Sequence, residues 1–92
     1  MKVIILKQKV CPQCDALTMF LHAATKNKYA ANIYEIMKEE KPEDFEEWVD
    51  KTKVMQTPSL IFVDESLVVH KIIQGFRPSE VKGALEEFFP NV

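Results

Sequence analysis

The longest uninterrupted apolar runs of the chain are two of four residues, Val3–Leu6 and Leu60–Val63, each bounded by polar residues. A short run rich in β-branched residues, with no polar alternation, predicts a strand covered on both faces, so both are expected at the centre of a sheet. Asn32–Met37 alternates instead, with Ile33, Glu35 and Met37 on one side and Tyr34 and Ile36 on the other, which predicts a half-exposed edge strand. Asp64, Glu65 and Ser66 make a short polar turn before a further extended stretch, Leu67–Gln74. The strands on either side of that turn are expected to pair as an antiparallel hairpin.

Between the strands the period changes. Leu17, Phe20, Leu21 and Ala24 recur at i, i+3, i+4 and i+7, predicting an amphipathic helix with Pro12 in its first turn that reaches roughly Lys28. Pro42, Glu43 and Asp44 start a second helix, whose acids complement the positive end of its dipole and whose buried stripe is Phe45, Trp48 and Val49. The charge run from Lys38 to Lys53 is then a solvated helix face. Val81, Ala84, Leu85 and Phe88 stripe a third helix, started near Pro78 and ended by Pro90. The predicted order is β-α-β-α-β-β-α, an α/β arrangement whose first two strands need a right-handed parallel crossover. With both all-apolar strands in the middle, the expected fold is a four-stranded mixed sheet of order 2-1-3-4 with three helices. Three loops then meet at one end of the sheet: Lys9–Cys14, Gln56–Pro58 and Gly75–Pro78.

Composition narrows the function. Ninety-two residues, 47% apolar and 28% charged, are expected to form one domain over residues 1–92. Twelve basic residues against fourteen acidic, a net charge of −2, argue against a nucleic-acid grip built on clustered Lys and Arg. Gly75 and Gly83, the two glycines, can write neither a P-loop nor a GxGxxG turn. No apolar run approaches the ~20 residues that cross a bilayer. Lys2 followed by a short apolar run falls short of the ~7–15-residue core of a secretory signal. A monomer in a reducing cytoplasm, without nucleic acid or membrane, is the expected setting.

Both cysteines sit in one motif, CPQC, from Cys11 to Cys14. A pair so close cannot staple distant parts of the chain, which points to chemistry rather than architecture. At a strand-to-helix turn the first sulfur faces the unpaired N–H groups of the opening helical turn, and these favour a thiolate. Cys11 is therefore expected to have a depressed pKa within the ~3.5–7.5 range of such sites, while Cys14 stays a thiol until needed. Cys11 would attack a substrate disulfide, Cys14 would attack Cys11 to release the reduced product, and the pair would end as a disulfide. Pro12 stiffens the turn and lacks an N–H, Gln13 adds no charge, and Lys9 is the nearest cation in the sequence, either helping the thiolate or simply solvated. Structural zinc needs four ligands, and His22 and His70 match no finger spacing; they read as surface positions on the first helix and the edge strand. No bound metal or cofactor is expected, which leaves inert buried cysteines or a cluster shared between two chains as the alternatives to exchange. Thr57-Pro58 precedes the strand Ser59–Val63, where a proline either punctuates the strand start or, because its loop faces Cys11, offers the Thr57 backbone to a docking peptide through a cis bond.

The first strand leading into CPQC, the Thr57-Pro58 before a buried strand, the following hairpin and then Gly75 together resemble the thioredoxin and glutaredoxin superfamily over nearly the whole chain. The resemblance implies a nucleophilic Cys11, a resolving Cys14 and a cis Pro58, with Thr57 offering backbone hydrogen bonds to the partner. Proline at the first inner position looks like glutaredoxins, whereas Ile5 stands where thioredoxins place a buried acid. Gly75-Phe76-Arg77-Pro78 is similar to a stretch of the NrdH redoxins, glutaredoxin-like proteins that thioredoxin reductase recharges and that reduce ribonucleotide reductase. On that reading Gly75 allows close approach of a partner chain, Phe76 adds apolar contact and Arg77 attracts an acidic segment. The implied activity is reduction of protein disulfides, with electrons reaching the pair indirectly from NADPH through a thioredoxin reductase. The alternatives are a glutathione-dependent glutaredoxin and a non-catalytic binding module that uses the Pro58 and Phe76 surface.

Overall fold

The computed structural model describes every residue from Met1 to Val92. Strand β1 (Lys2–Lys7) leads to helix α1 (Pro12–Ala23), strand β2 (Ile33–Met37), helix α2 (Pro42–Thr52), strands β3 (Ser59–Val63) and β4 (Val69–Gln74), and helix α3 (Pro78–Phe88). The sheet order is β2-β1-β3-β4. β1 runs parallel to β2, with Val3 opposite Ile33, and antiparallel to β3, with Val3 opposite Phe62; β3 and β4 form the antiparallel hairpin.

The two apolar runs have no polar position because the sheet has helices on both faces. Side chains alternate along a strand, so Val3, Ile5, Leu60 and Phe62 enter one cluster with Leu17 and Leu21 of α1 and Val81, Ala84 and Leu85 of α3. Ile4, Leu6, Ile61 and Val63 enter the other, against Phe45 and Val54, with Trp48 and Val49 packed around it. β2 lies at the edge, where Ile33 packs on the first cluster and Ile36 on the second while Tyr34 and Glu35 are exposed.

Three element ends differ from the sequence reading. α1 stops at Ala23 rather than near Lys28, and Ala24 is exposed instead of continuing the stripe. The Thr25 hydroxyl donates to the Leu21 carbonyl, and Lys26 and Asn27 take φ of 55° and 57°, so the chain turns left-handed before a 3₁₀ turn at Ala30–Asn32. Tyr29, 3% exposed, is the residue that fills the core beyond the helix. β4 begins at Val69, not Leu67, because Leu67 has φ 63° and the Asp64 carboxylate accepts the N–H groups of Ser66 and Val68, which extends the turn. In α3 the stripe is completed by Phe89, the buried residue just past the helix, while Phe88 is only partly covered.

Candidate functional site

The CPQC motif joins the end of β1 to the start of α1. Cys11 is the helix N-cap with extended backbone (φ −154°, ψ 92°), Pro12 occupies the first turn, and the Asp15 N–H makes the first helical bond, to the Cys11 carbonyl. A strand that ends where a helix begins leaves that turn's N–H groups facing the strand end. The Cys14 N–H accordingly points at Cys11 Sγ, 3.1 Å away. The two cysteines form a disulfide, with Cα atoms 5.2 Å apart. Cys14 is 1% exposed and Cys11 7%, so of the two residues the first is nearer to solvent.

The two other loops of this sheet end close on the motif. The Thr57–Pro58 bond is cis. Thr57 places its carbonyl oxygen 3.7 Å and its hydroxyl 3.6 Å from Cys11 Sγ. A disulfide sulfur has no proton to donate, so the carbonyl is a contact only, and the hydroxyl proton goes to Gln8 Oε1 at 3.1 Å. Buried Pro58 accepts the Gly75 N–H at 2.7 Å. Gly75 has φ +83°, in the left-handed region that favours glycine. The Phe76 N–H donates to Gln13 Oε1 at 2.9 Å, and the Phe76 ring packs edge-on against Phe20 of α1, with centroids 6.0 Å apart. Arg77 is exposed; its Nε donates to the Gln74 carbonyl and lies 3.7 Å from Glu80.

The residues singled out around the cysteine motif, Thr57-Pro58 and Gly75-Phe76-Arg77 thus lie at this end of the sheet, with unequal contact to the sulfurs. Lys9 is exposed, and its N–H rather than its side chain is engaged, donating to Glu39. Its neighbour Lys7, which the sequence reading did not single out, is 8% exposed beneath α1 and bonds Thr18 and Glu35. The signal for Lys7 was its parity with Val3 and Ile5, which aims it at the α1 layer; for Thr18 it was the i+4 spacing from Cys14. Gln8 carried no signal, because its role depends on Thr57, 49 positions away. His22 is exposed, and His70 on β4 pairs with Asp64 at 2.9 Å, away from the cysteines in sequence and in the sheet. No group of three or more His, Cys, Asp or Glu side chains converges to hold a metal ion, and no helix is long and apolar enough to cross a membrane.

Comparison with known proteins gives one family. The family model for the thioredoxin domain matches residues 1–80. Thioredoxin 1 of Thermosipho africanus is similar in structure at TM-score 0.70 and 24% identity, over 98% of this chain and 96% of that one. A thioredoxin of Thermus thermophilus is similar at TM-score 0.68 and 16% identity, over 94% of this chain and 71% of that one. A thioredoxin of Malassezia sympodialis gives TM-score 0.68 and 14% identity, over 92% of this chain and 71% of that one. At such identities the likeness is one of fold. No curated protein sequence matches the chain.

Proposed function

The chain belongs to the thioredoxin domain family, a thiol-disulfide oxidoreductase with its cysteine pair at a strand-to-helix turn, and on that premise we propose that it reduces protein disulfides with Cys11 as nucleophile and Cys14 as resolving thiol. In the reduced state the Cys11 thiolate attacks one sulfur of the substrate; the Cys11–substrate bond forms, the substrate S–S bond breaks, and the leaving sulfur takes a proton. Cys14 then loses its proton and attacks Cys11 Sγ, closing the internal disulfide and releasing the second substrate thiolate. Two electrons have passed from the pair to the substrate.

The observation that carries this reading is the Cys14 N–H aimed at Cys11 Sγ from 3.1 Å at a helix N-terminus. Peptide dipoles and an amide donor there stabilise a sulfur anion. Thr57, Pro58, Gly75, Phe76 and Arg77 are the proposed substrate contacts, supported by their place around the pair, with exposed Val10 and Met55 as apolar neighbours on the adjoining loops. We read residues 1–92 as one domain acting as a monomer in a reducing cytoplasm, recharged by a thioredoxin reductase at the expense of NADPH. Gly75-Phe76-Arg77-Pro78 supports that recharger, and ribonucleotide reductase as a substrate, by its similarity to the NrdH redoxins.

One feature favours a second reading, glutathione as reductant: a cleft of about 240 Å³ beside Thr57, bordered by Gln8, Lys38, Glu46 and Gln56, which has room and polar partners for a small thiol peptide carrying charges of both signs. A coupled assay separates the two. NADPH consumption with thioredoxin reductase should exceed that with glutathione and its reductase, and equal or faster turnover with glutathione would establish the second reading. The reaction itself is tested by trapping. Cys14→Ser should accumulate mixed disulfides through Cys11, and Cys11→Ser should form none. A parent protein that leaves insulin disulfides intact, with no adduct on Cys14→Ser, would remove the proposed activity.

A further inference from the structure

Beneath α1 the fold buries a cation that the exchange steps do not use. Lys7 ends β1 on the same face as Val3 and Ile5, so its side chain passes between the sheet and α1, where it is 11% exposed. Its Nζ donates to Glu35 Oε2 of β2 at 2.8 Å and to Thr18 Oγ1 of α1 at 2.7 Å. An ammonium has no lone pair, so the Thr18 hydroxyl can only accept from it. The hydroxyl's own proton therefore goes to the Cys14 carbonyl, 3.1 Å away. Donation runs outward from Lys7, to Glu35 on one side and through Thr18 to the Cys14 carbonyl on the other, which puts a positive charge two hydrogen bonds from the resolving cysteine. Enclosing an ammonium carries a desolvation cost that a half-exposed partner only partly offsets, and an aliphatic residue here would extend the surface of Val3 and Ile5 without that cost.

We propose that Lys7 is a positioning residue for the redox pair: through Thr18 it holds the Cys14 peptide, and its charge favours the reduced state, with Glu35 moderating it. This rests on reading Cys11 and Cys14 as an exchanging pair. Reduction adds two electrons and one proton to the disulfide and leaves a Cys11 thiolate and a Cys14 thiol. With dithiothreitol as reductant, the reagent supplies both electrons, closes to its cyclic disulfide and releases its second proton to water. The new negative charge appears at the N-cap of α1, so a cation beneath the same helix, joined through Thr18 to the Cys14 carbonyl, lowers the energy of the reduced state and leaves that of the uncharged disulfide little changed. Glu35, half exposed, acts in the opposite sense and more weakly.

The test is the equilibrium of the intact protein with dithiothreitol buffers, read as the fraction reduced. Lys7→Met should lower the equilibrium constant for reduction about three- to tenfold, the upper figure corresponding to ~30 mV for a two-electron couple. Glu35→Gln should raise it by a smaller factor, and Lys7→Arg, which keeps the charge, should stay near the parent. Opposite signs are the signature, because lost packing or a lost bond would move both variants the same way or neither. Shifts of one sign, or a Lys7→Met protein reduced as readily as the parent, overturn the proposal. If Lys7→Met does not fold, Glu35→Gln decides alone, since anything but a rise refutes it. A parent disulfide that does not exchange with dithiothreitol overturns the proposed activity and this inference together, whereas a parent that exchanges beside unshifted variants overturns the inference only.

Discussion

The Phe76 amide donates to the side-chain oxygen of Gln13, 63 positions earlier, at 2.9 Å. Gln13 is an inner residue of the cysteine motif, so this bond clasps the first turn of α1 to the loop before α3. The Gly75 N–H to Pro58 carbonyl bond ties the latter loop to the third. Gln13→Ala removes the clasp without touching a sulfur. We expect a loss of about 0.5–1 kcal/mol by urea unfolding, the low end for a hydrogen bond because water replaces the exposed partner. Hydrogen exchange at the Phe76 amide should quicken while that of Ile73 holds; an unchanged Phe76 rate would show that the bond does not persist in solution.

Gly75→Ala tests the same junction from the other side. A Cβ there would stand 3.2 Å from Gln13 Oε1, on a backbone at φ +83°. Both the contact and the left-handed conformation disfavour alanine, and together they should cost about 1–2 kcal/mol. In the Gln13→Ala background the contact is gone and only the backbone contribution remains, so the cost of Gly75→Ala should shrink without vanishing. Equal costs in the two backgrounds would mean that Gln13 yields freely.

Asp64 gives the β3–β4 turn a pH dependence. Its carboxyl is held below its usual 3.8, first by the His70 side-chain hydrogen bond and then by the Val68 N–H, with partial burial opposing them and the Ser66 N–H and His70 charge adding smaller pulls. A carboxyl whose folded value is depressed stabilises the fold above its unfolded value, and that contribution is lost as the pH falls through the folded one. Asp64→Asn should therefore lose less stability than the parent between about pH 5 and pH 2. Parallel urea midpoints for the two proteins across that range would contradict the assignment.

Phe62 is fully buried on β3, its ring 5.2 Å from that of Phe88. Phe62→Ala should cost about 3–5 kcal/mol in chemical denaturation, since packed helices on that face cannot close the gap. Ile72→Ala on the partly exposed edge strand should cost under about 1 kcal/mol. Similar losses at both positions would be incompatible with helices packed on that face of the sheet.

How far the sequence could be read followed from the range of the forces involved. Val3–Leu6 and Leu60–Val63 were legible as central strands because full burial on two faces excludes polar residues, and the strand order followed from that and from crossover handedness. The CPQC turn was legible because cap and motif lie within four consecutive residues. The end of α1 was not: its stripe extends to Ala24 on paper, but the Thr25 hydroxyl and two left-handed residues stop the helix, and Tyr29 fills the core in its place. Phe88 and Phe89 differ by one position, and which of them enters the core depends on where α3 ends.

Local order thus followed from the pattern alone: which segments are strands, which are helices, and which turn holds the sulfurs. Long-range pairing settled the rest. Gln13 with Phe76, Gln8 with Thr57 and Lys7 with Thr18 and Glu35 meet only once the sheet and helices have docked. Periodicity records how each residue relates to its own element, whereas a hydrogen bond between elements depends on distances of a few ångström that packing alone establishes. A surface charge and a buried one are written with the same letter, and the layer over Lys7 is what tells them apart.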